Sequence, residues 1–123
     1  MAFEGILQNV PGIVAGSDLS AKQFHAGKLT GELAVGAAAA GDLALGVLQN
    51  DPLQGDADAV AYAGVSKCKS GANLAVGNRV APDASGALVP AGSGDFPIGV
   101  ALEAGVSGDV VSVLLIPNMV AIA

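Results

Sequence analysis

Apolar positions along this chain come in short runs, and glycine, proline, asparagine or aspartate cuts each run before a helical period can establish itself. Runs such as "HAGKL", "LALGVLQ", "DAVAYAGVSKC", "LAVGNRVAP", "ALVPA", "FPIGVALE" and "VVSVLLI" have the length and β-branched content of strands. The intervening "TGE", "NDPLQGD", "KSGAN", "DASG" and "AGVSGD" are turn-forming. Glycine supplies positive φ, proline a fixed φ, and Asn or Asp a side chain that bonds its own backbone. The pattern predicts an all-β fold, a small barrel or sandwich of about eight short strands. One segment, "SDLSAKQF" (17–24), could open a short helix with Ser17 or Asp18 as its cap.

The turns are not randomly placed. "GDLALGV" begins at Gly41 and "GDFPIGV" at Gly94, and "GDADAV" at Gly55 is answered by "GDVVSV" at Gly108. Both pairs lie 53 residues apart, and the two segments 41–61 and 94–114 align without a gap. A composition rich in Gly and Ala inflates chance identities, but an ungapped register through two turn signals predicts a duplicated four-strand unit. Gly41–Asp42, Gly55–Asp56, Gly94–Asp95 and Gly108–Asp109 are then matching turns that launch matching strands. Gly46 and Gly99 fall inside strands, which marks a bulge or a close backbone approach.

Residues 1–16 show no sustained period and are broken by Pro11, Gly12 and Gly16. They read as an extended N-terminal arm, followed by a single β domain over 17–123. The apolar residues of the arm suggest that it lies on a neighbouring protein surface. On this reading Phe3, Ile6, Leu7, Val10 and Ile13, with Val120 and Ile122 of the apolar C-terminal tail, are the candidate partner contacts. Deleting 1–14 would weaken binding and leave the domain folded.

Composition narrows the function. With 13% charged residues against roughly 25% in ordinary soluble domains, the chain has little polar material to cover its surface, so part of that surface should face other protein. The net charge of −6 argues against nucleic acid as a partner, because five scattered Lys and Arg cannot form a phosphate-tracking stripe. No membrane segment is expected, because the most apolar stretch, 110–123, is short and interrupted by Pro117 and Asn118. "MAFEGILQ" lacks the basic start of a secretory signal, which suggests synthesis in the cytoplasm.

Candidate chemistry is sparse. The four Gly-Asp aspartates recur at turn positions rather than converging as a calcium site requires. "DADAV" lacks the glycine and glutamate of a helix–loop–helix calcium loop. A single His25 and a single Cys68 make no recognisable metal or nucleophile set, and Cys68 reads as a small buried apolar residue. Lys67 and Lys69 could suggest a lipoyl- or biotinyl-carrier hairpin, but they flank a cysteine at the end of a strand and read better as strand-edge lysines. No catalytic residue, cofactor or metal is expected.

The order of segments resembles a known family. "AGSDLSAKQFHAGKL", "GDLALGVLQNDP", the hairpin "GNRVAPDASG" and "VPAGSGDFPIGVALE…GDVVSVLL" follow one another as in the small decoration, or cement, proteins of tailed-bacteriophage capsids. The resemblance covers residues 15–115, and order and spacing carry it. It implies a compact β domain on the exterior of the virion, associating as a homotrimer and clamping neighbouring subunits of the major capsid protein, after synthesis in the host cytoplasm. Another virion part, such as a head fibre base or tail accessory, and a small ligand-binding or carrier β-barrel are the alternatives.

Overall fold

The computed structural model describes residues 2, 5–116 and 119–123. Among the described residues it contains ten strands and no helix. The strands are β1 (Leu7–Asn9), β2 (Val14–Ala15), β3 (Ala26–Gly31), β4 (Ala34–Ala37), β5 (Gly46–Leu48), β6 (Val60–Lys69), β7 (Arg79–Pro82), β8 (Leu88–Pro90), β9 (Gly99–Ala101) and β10 (Val110–Leu115). Segment 17–24 forms turns: Asp18 Oδ1 accepts from the Ser20 N–H at 3.0 Å, so the aspartate closes a local turn where a helix cap was expected.

The strands form one sheet in the order β2-β4-β3-β5-β6-β10-β9-β7-β8, with β1 added on β6. All named pairings are antiparallel except β2 with β4. The expected barrel is corrected, because the end strands β2 and β8 do not pair and the sheet is open. The physical reason lies at the ends. β2 has two residues and β8 three, too short to carry a closing ladder, and each turns back toward the middle of the sheet through a single bridge, Val14↔Ala57 and Ser70↔Leu88. The count of eight strands is likewise corrected to ten, since two- and three-residue strands leave no period in a sequence.

β6 is the spine. It pairs with β5 and β1 along its first half and with β10 from Gly64 to Lys69. Lys67 and Lys69 therefore lie on an interior strand opposite Ser112 and Val110, not on the expected edge. Gly64 explains how three strands meet there. Its φ of +107° and missing Cβ let the N-terminal segment cross, and a Cβ would overlap the Ile6 carbonyl.

Residues 5–16, expected as an extended arm on a neighbouring surface, are bound to this chain's own sheet. Leu7 pairs with Gly64, the Gly5 N–H donates to Val65 O, and the Val10 N–H donates to Val60 O. Ile13 is 3% exposed and packs in a core cluster with Ala15, Leu19, Val35, Leu48 and Val60. A second cluster, including Val47, Cys68, Leu74, Val80, Leu88, Ile98, Val111 and Val113, fills the C-terminal half. The reason the pattern misleads is length. Pro11 and Gly12 divide one sheet-bound segment into pieces too short to alternate visibly.

Pairings in the first half recur 53 residues later. Gly27↔Ala37, Lys28↔Gly36 and Leu29↔Val35 become Val80↔Pro90, Ala81↔Val89 and Pro82↔Leu88. Ala26↔Val47 and Gly27↔Gly46 become Arg79↔Val100 and Val80↔Gly99. Val47↔Ala61 and Leu48↔Val60 become Val100↔Leu114 and Ala101↔Val113. Phe24, at a φ of +66°, donates its N–H to Leu48 O as Gly77, at +87°, donates to Ala101 O. Upstream the spacing becomes 55. The Ala15, Gly16 and Leu19 N–H groups bond Asp56, Val35 and Pro52 oxygens, as the Ser70, Gly71 and Leu74 N–H groups bond Asp109, Leu88 and Gly105 oxygens.

Candidate docking surface

The four Gly-Asp turns share one construction. Gly41, Gly55, Gly94 and Gly108 have φ between +82° and +94°, a region that costs an L side chain about 1–2 kcal/mol. The following N–H of Asp42, Asp56, Asp95 and Asp109 bonds the carbonyl three residues back, on Ala39, Leu53, Gly92 and Val106. In three of them the carboxylate also accepts the N–H of that same residue, Ala39, Gly92 or Val106, at 2.8–2.9 Å. Each such turn is closed twice, once by backbone and once by side chain. Sequence reading missed a fifth copy at Gly77–Asn78, where the Asn78 N–H bonds Ala75 O and Asn78 Oδ1 accepts from the Ala75 N–H. The cue was present in "GN", which differs from "GD" by one amide.

Asp42 does one thing more. Its Oδ2 lies 2.7 Å from Lys28 Nζ. That bond first, and the Ala39 N–H second, hold the Asp42 carboxyl below the usual range. Beside the pair opens an apolar groove of about 480 Å³, with Leu29, Leu43, Leu45, Tyr62 and Met119 among its lining. Lys28 and Asp42 are the charged residues that line it, and they neutralise one another.

The matching turn in the second half carries a cover. Two residues near the C-terminus bond it: the Ile116 N–H donates to Ile98 O, the Ile122 N–H to Asp95 O, and the Gly94 N–H to Ile122 O. Ile98 is accordingly buried, whereas its counterpart Leu45 is half-buried and Leu43 is 40% exposed.

The candidate contact residues are thus scattered in role. Ile6 is 88% and Val120 72% exposed. Leu7 and Val10 are half-buried, with Val10 lining the groove. Ile122 is half-buried on the Gly94–Asp95 turn. Ile13 is corrected from contact to core, since its side chain is closed off by Leu19, Leu48 and Val60. Phe3 lies outside the described residues. His25 is half-buried with Nδ1 3.1 Å from Gln23 O, and burial pushes the Cys68 thiol up to about 12, which leaves it inert at neutral pH.

One buried acid stands out. Asp58 is 7% exposed, its N–H donates to Ile13 O, and neither carboxylate oxygen has a hydrogen-bond partner among the described residues. Burial raises its carboxyl to about 6, and the Ala59 N–H, which donates to Asn50 Oδ1, offsets little of this. A raised folded value means that Asp58 supports the fold below the unfolded value near 3.8, and that this support is lost as pH rises through about 6. Asp58→Asn is therefore expected to stabilise the protein at pH 8, by at most about 3 kcal/mol, and to change little at pH 3.5. Urea midpoints at the two pH values check it. An equal effect at both would contradict the assignment.

The phage cement protein family matches residues 13–116. The chain belongs to that family. This cement protein also matches a solved structure, titled the head fiber gp8.5 N base in bacteriophage phi29, with a TM-score of 0.66 and 20% identity over 88% of this chain and 93% of that one. At that identity the likeness speaks for the fold. Comparison with curated proteins gives no match. The cement protein is a phage structural protein built on an open β sheet.

Proposed function

We propose that this cement protein binds the outer surface of a phage head and stabilises the shell by bridging subunits of the major capsid protein, three copies acting together. The family match across 13–116 carries the reading. Two features support it. Exposed aliphatic residues such as Ile6 and Val120 can lie on a partner's surface, and the low charge content favours covering that surface in an assembly. We also infer a duplicated structural unit, on the strength of the pairings that recur 53 residues apart. Two similar halves on one rigid spine give a single copy two similar faces, which suits a bridge between equivalent neighbours.

The mechanism is contact. Each interface can be modest, because a bridging copy, and more so a trimer, multiplies affinities by roughly 10²–10⁴ through effective concentration where the geometry fits. The likeness to a head fibre base supports a second reading, in which the same domain is the foot of a longer head appendage. Electron cryomicroscopy of undecorated shells incubated with the protein separates the two. Density at repeated sites spanning adjacent capsid subunits is the expected result. Density at a few sites that each touch one subunit would favour the appendage.

A further inference from the structure

The two Gly-Asp edges are built alike and treated differently. On the second, Gly94 N–H, Asp95 C=O and Ile98 C=O are all bonded to the tail, through Ile122 O, the Ile122 N–H and the Ile116 N–H. On the first, the counterparts Gly41 N–H, Asp42 C=O and Leu45 C=O have no backbone partner among the described residues. The groove of about 480 Å³ opens beside this unpaired edge. An edge of free N–H and C=O groups next to apolar side chains is a template for an added extended peptide.

We propose that the 41–45 edge and its groove bind an extended, uncharged, aliphatic peptide segment of a shell subunit, in the manner in which 94–98 bonds Ile116 and Ile122. The proposal rests on the shell-binding reading above. The occupant's chemistry is read from the molecule itself. The residues that bond the matching edge are Ile116 and Ile122, and the sequence 116–122 around them carries no charge. The groove likewise offers no unpaired charge, because Lys28 and Asp42 satisfy one another. Main-chain bonds at Gly41, Asp42 and Leu45 supply affinity, and Leu43, Leu45 and Tyr62 select aliphatic side chains. Ile116 and Ile122 of this chain already bond the second edge, whereas Met119 lines the first groove without bonding its main chain, which leaves Gly41, Asp42 and Leu45 for a partner's strand.

The probe is a synthetic peptide of residues 115–123, LIPNMVAIA, titrated into the full-length protein and followed by assigned amide and side-chain NMR shifts. Saturable shifts at Gly41, Asp42, Leu43, Leu45 and Tyr62 are expected. Peptide N-methylated at the position of Ile122, which removes the N–H that reaches Asp95 O on the other edge, is expected to bind at least tenfold more weakly. Leu43→Lys should weaken the peptide and shell binding by a similar factor, while Val76→Lys, on an exposed turn, should leave both unchanged; thermal melts verify that both variants fold. Shifts confined to 94–98, or no shifts at saturating peptide, would overturn the edge. Shell binding by Leu43→Lys equal to wild type would overturn the occupant. If wild type itself binds no shell, the shell reading falls and the named occupant with it, while the titration still reports on the edge by itself.

Discussion

Deleting residues 1–14 is expected to unfold the protein or lower its melting temperature by at least about 10 °C. The deletion removes β1 from β6, the Gly5 and Val10 bonds to Val65 and Val60, and Ile13 from its core cluster. Loss of one buried aliphatic side chain costs about 2–5 kcal/mol by itself, against a total stability of about 5–15 kcal/mol for a domain of this size. Ile13→Ala isolates that part and should lower the melting temperature by several degrees in a chain that still folds. Circular dichroism melts check both. A truncated protein that melts with the full-length one would show that the segment is a dispensable arm after all, and that the body closes without it.

Gly99→Val and Gly46→Val are expected to cost about 3 kcal/mol or more each, while Ser107→Val stays within about 0.5 kcal/mol of wild type. A Cβ on Gly99 would overlap the Leu114 carbonyl, and one on Gly46 would overlap the Ala61 carbonyl. These carbonyls belong to paired strands in the middle of the sheet, so neither can retreat without breaking β9–β10 or β5–β6 pairing. Ser107 is exposed in the turn before Gly108 and has room for a branched side chain. Chemical denaturation of the three variants reads the difference. Equal midpoints for Gly99→Val and Ser107→Val would contradict the close approach.

The two glycines also show what a sequence of this kind reveals. A glycine inside an apolar run has few reasons to be there, so Gly46 and Gly99 announced a close contact without saying with what. The all-β class was legible for a similar reason: glycine, proline and aspartate interrupt every run before a helix could form. The 53-residue spacing was visible in "GDLALGV" and "GDFPIGV", but its upstream part was not. There "AGSDL" at 15–19 answers "SGANL" at 70–74 at a spacing of 55, and the two-residue shift hid the likeness from an ungapped alignment.

That hidden shift is why residues 1–16 read as an arm. Residues 15 and 16 hold the place in the first half that 70 and 71 hold in the second, and the latter follow directly on the longest strand. In the first half Pro11 and Gly12 interrupt the same course, and the strand character is lost to the eye. The groove was illegible for a different reason. Val10, Leu29, Leu43, Tyr62 and Met119 come from five separate segments, and only the pairing of β3, β5 and β6 brings them around one opening. Local pattern carries strand identity. It does not carry which backbone edge is left without a neighbour.

The central claim is that this cement protein holds a shell together by contact. A component that binds the intact shell and not its separated subunits must stabilise the intact form, in proportion to the logarithm of its concentration over its dissociation constant. The most direct measurement is survival of undecorated shells through a thermal ramp, with protein added from zero to saturation and integrity read by light scattering and electron microscopy. The account predicts a disruption temperature that rises with added protein and levels off when the repeated sites are full. A disruption temperature that stays constant while the protein is bound at saturation would contradict it.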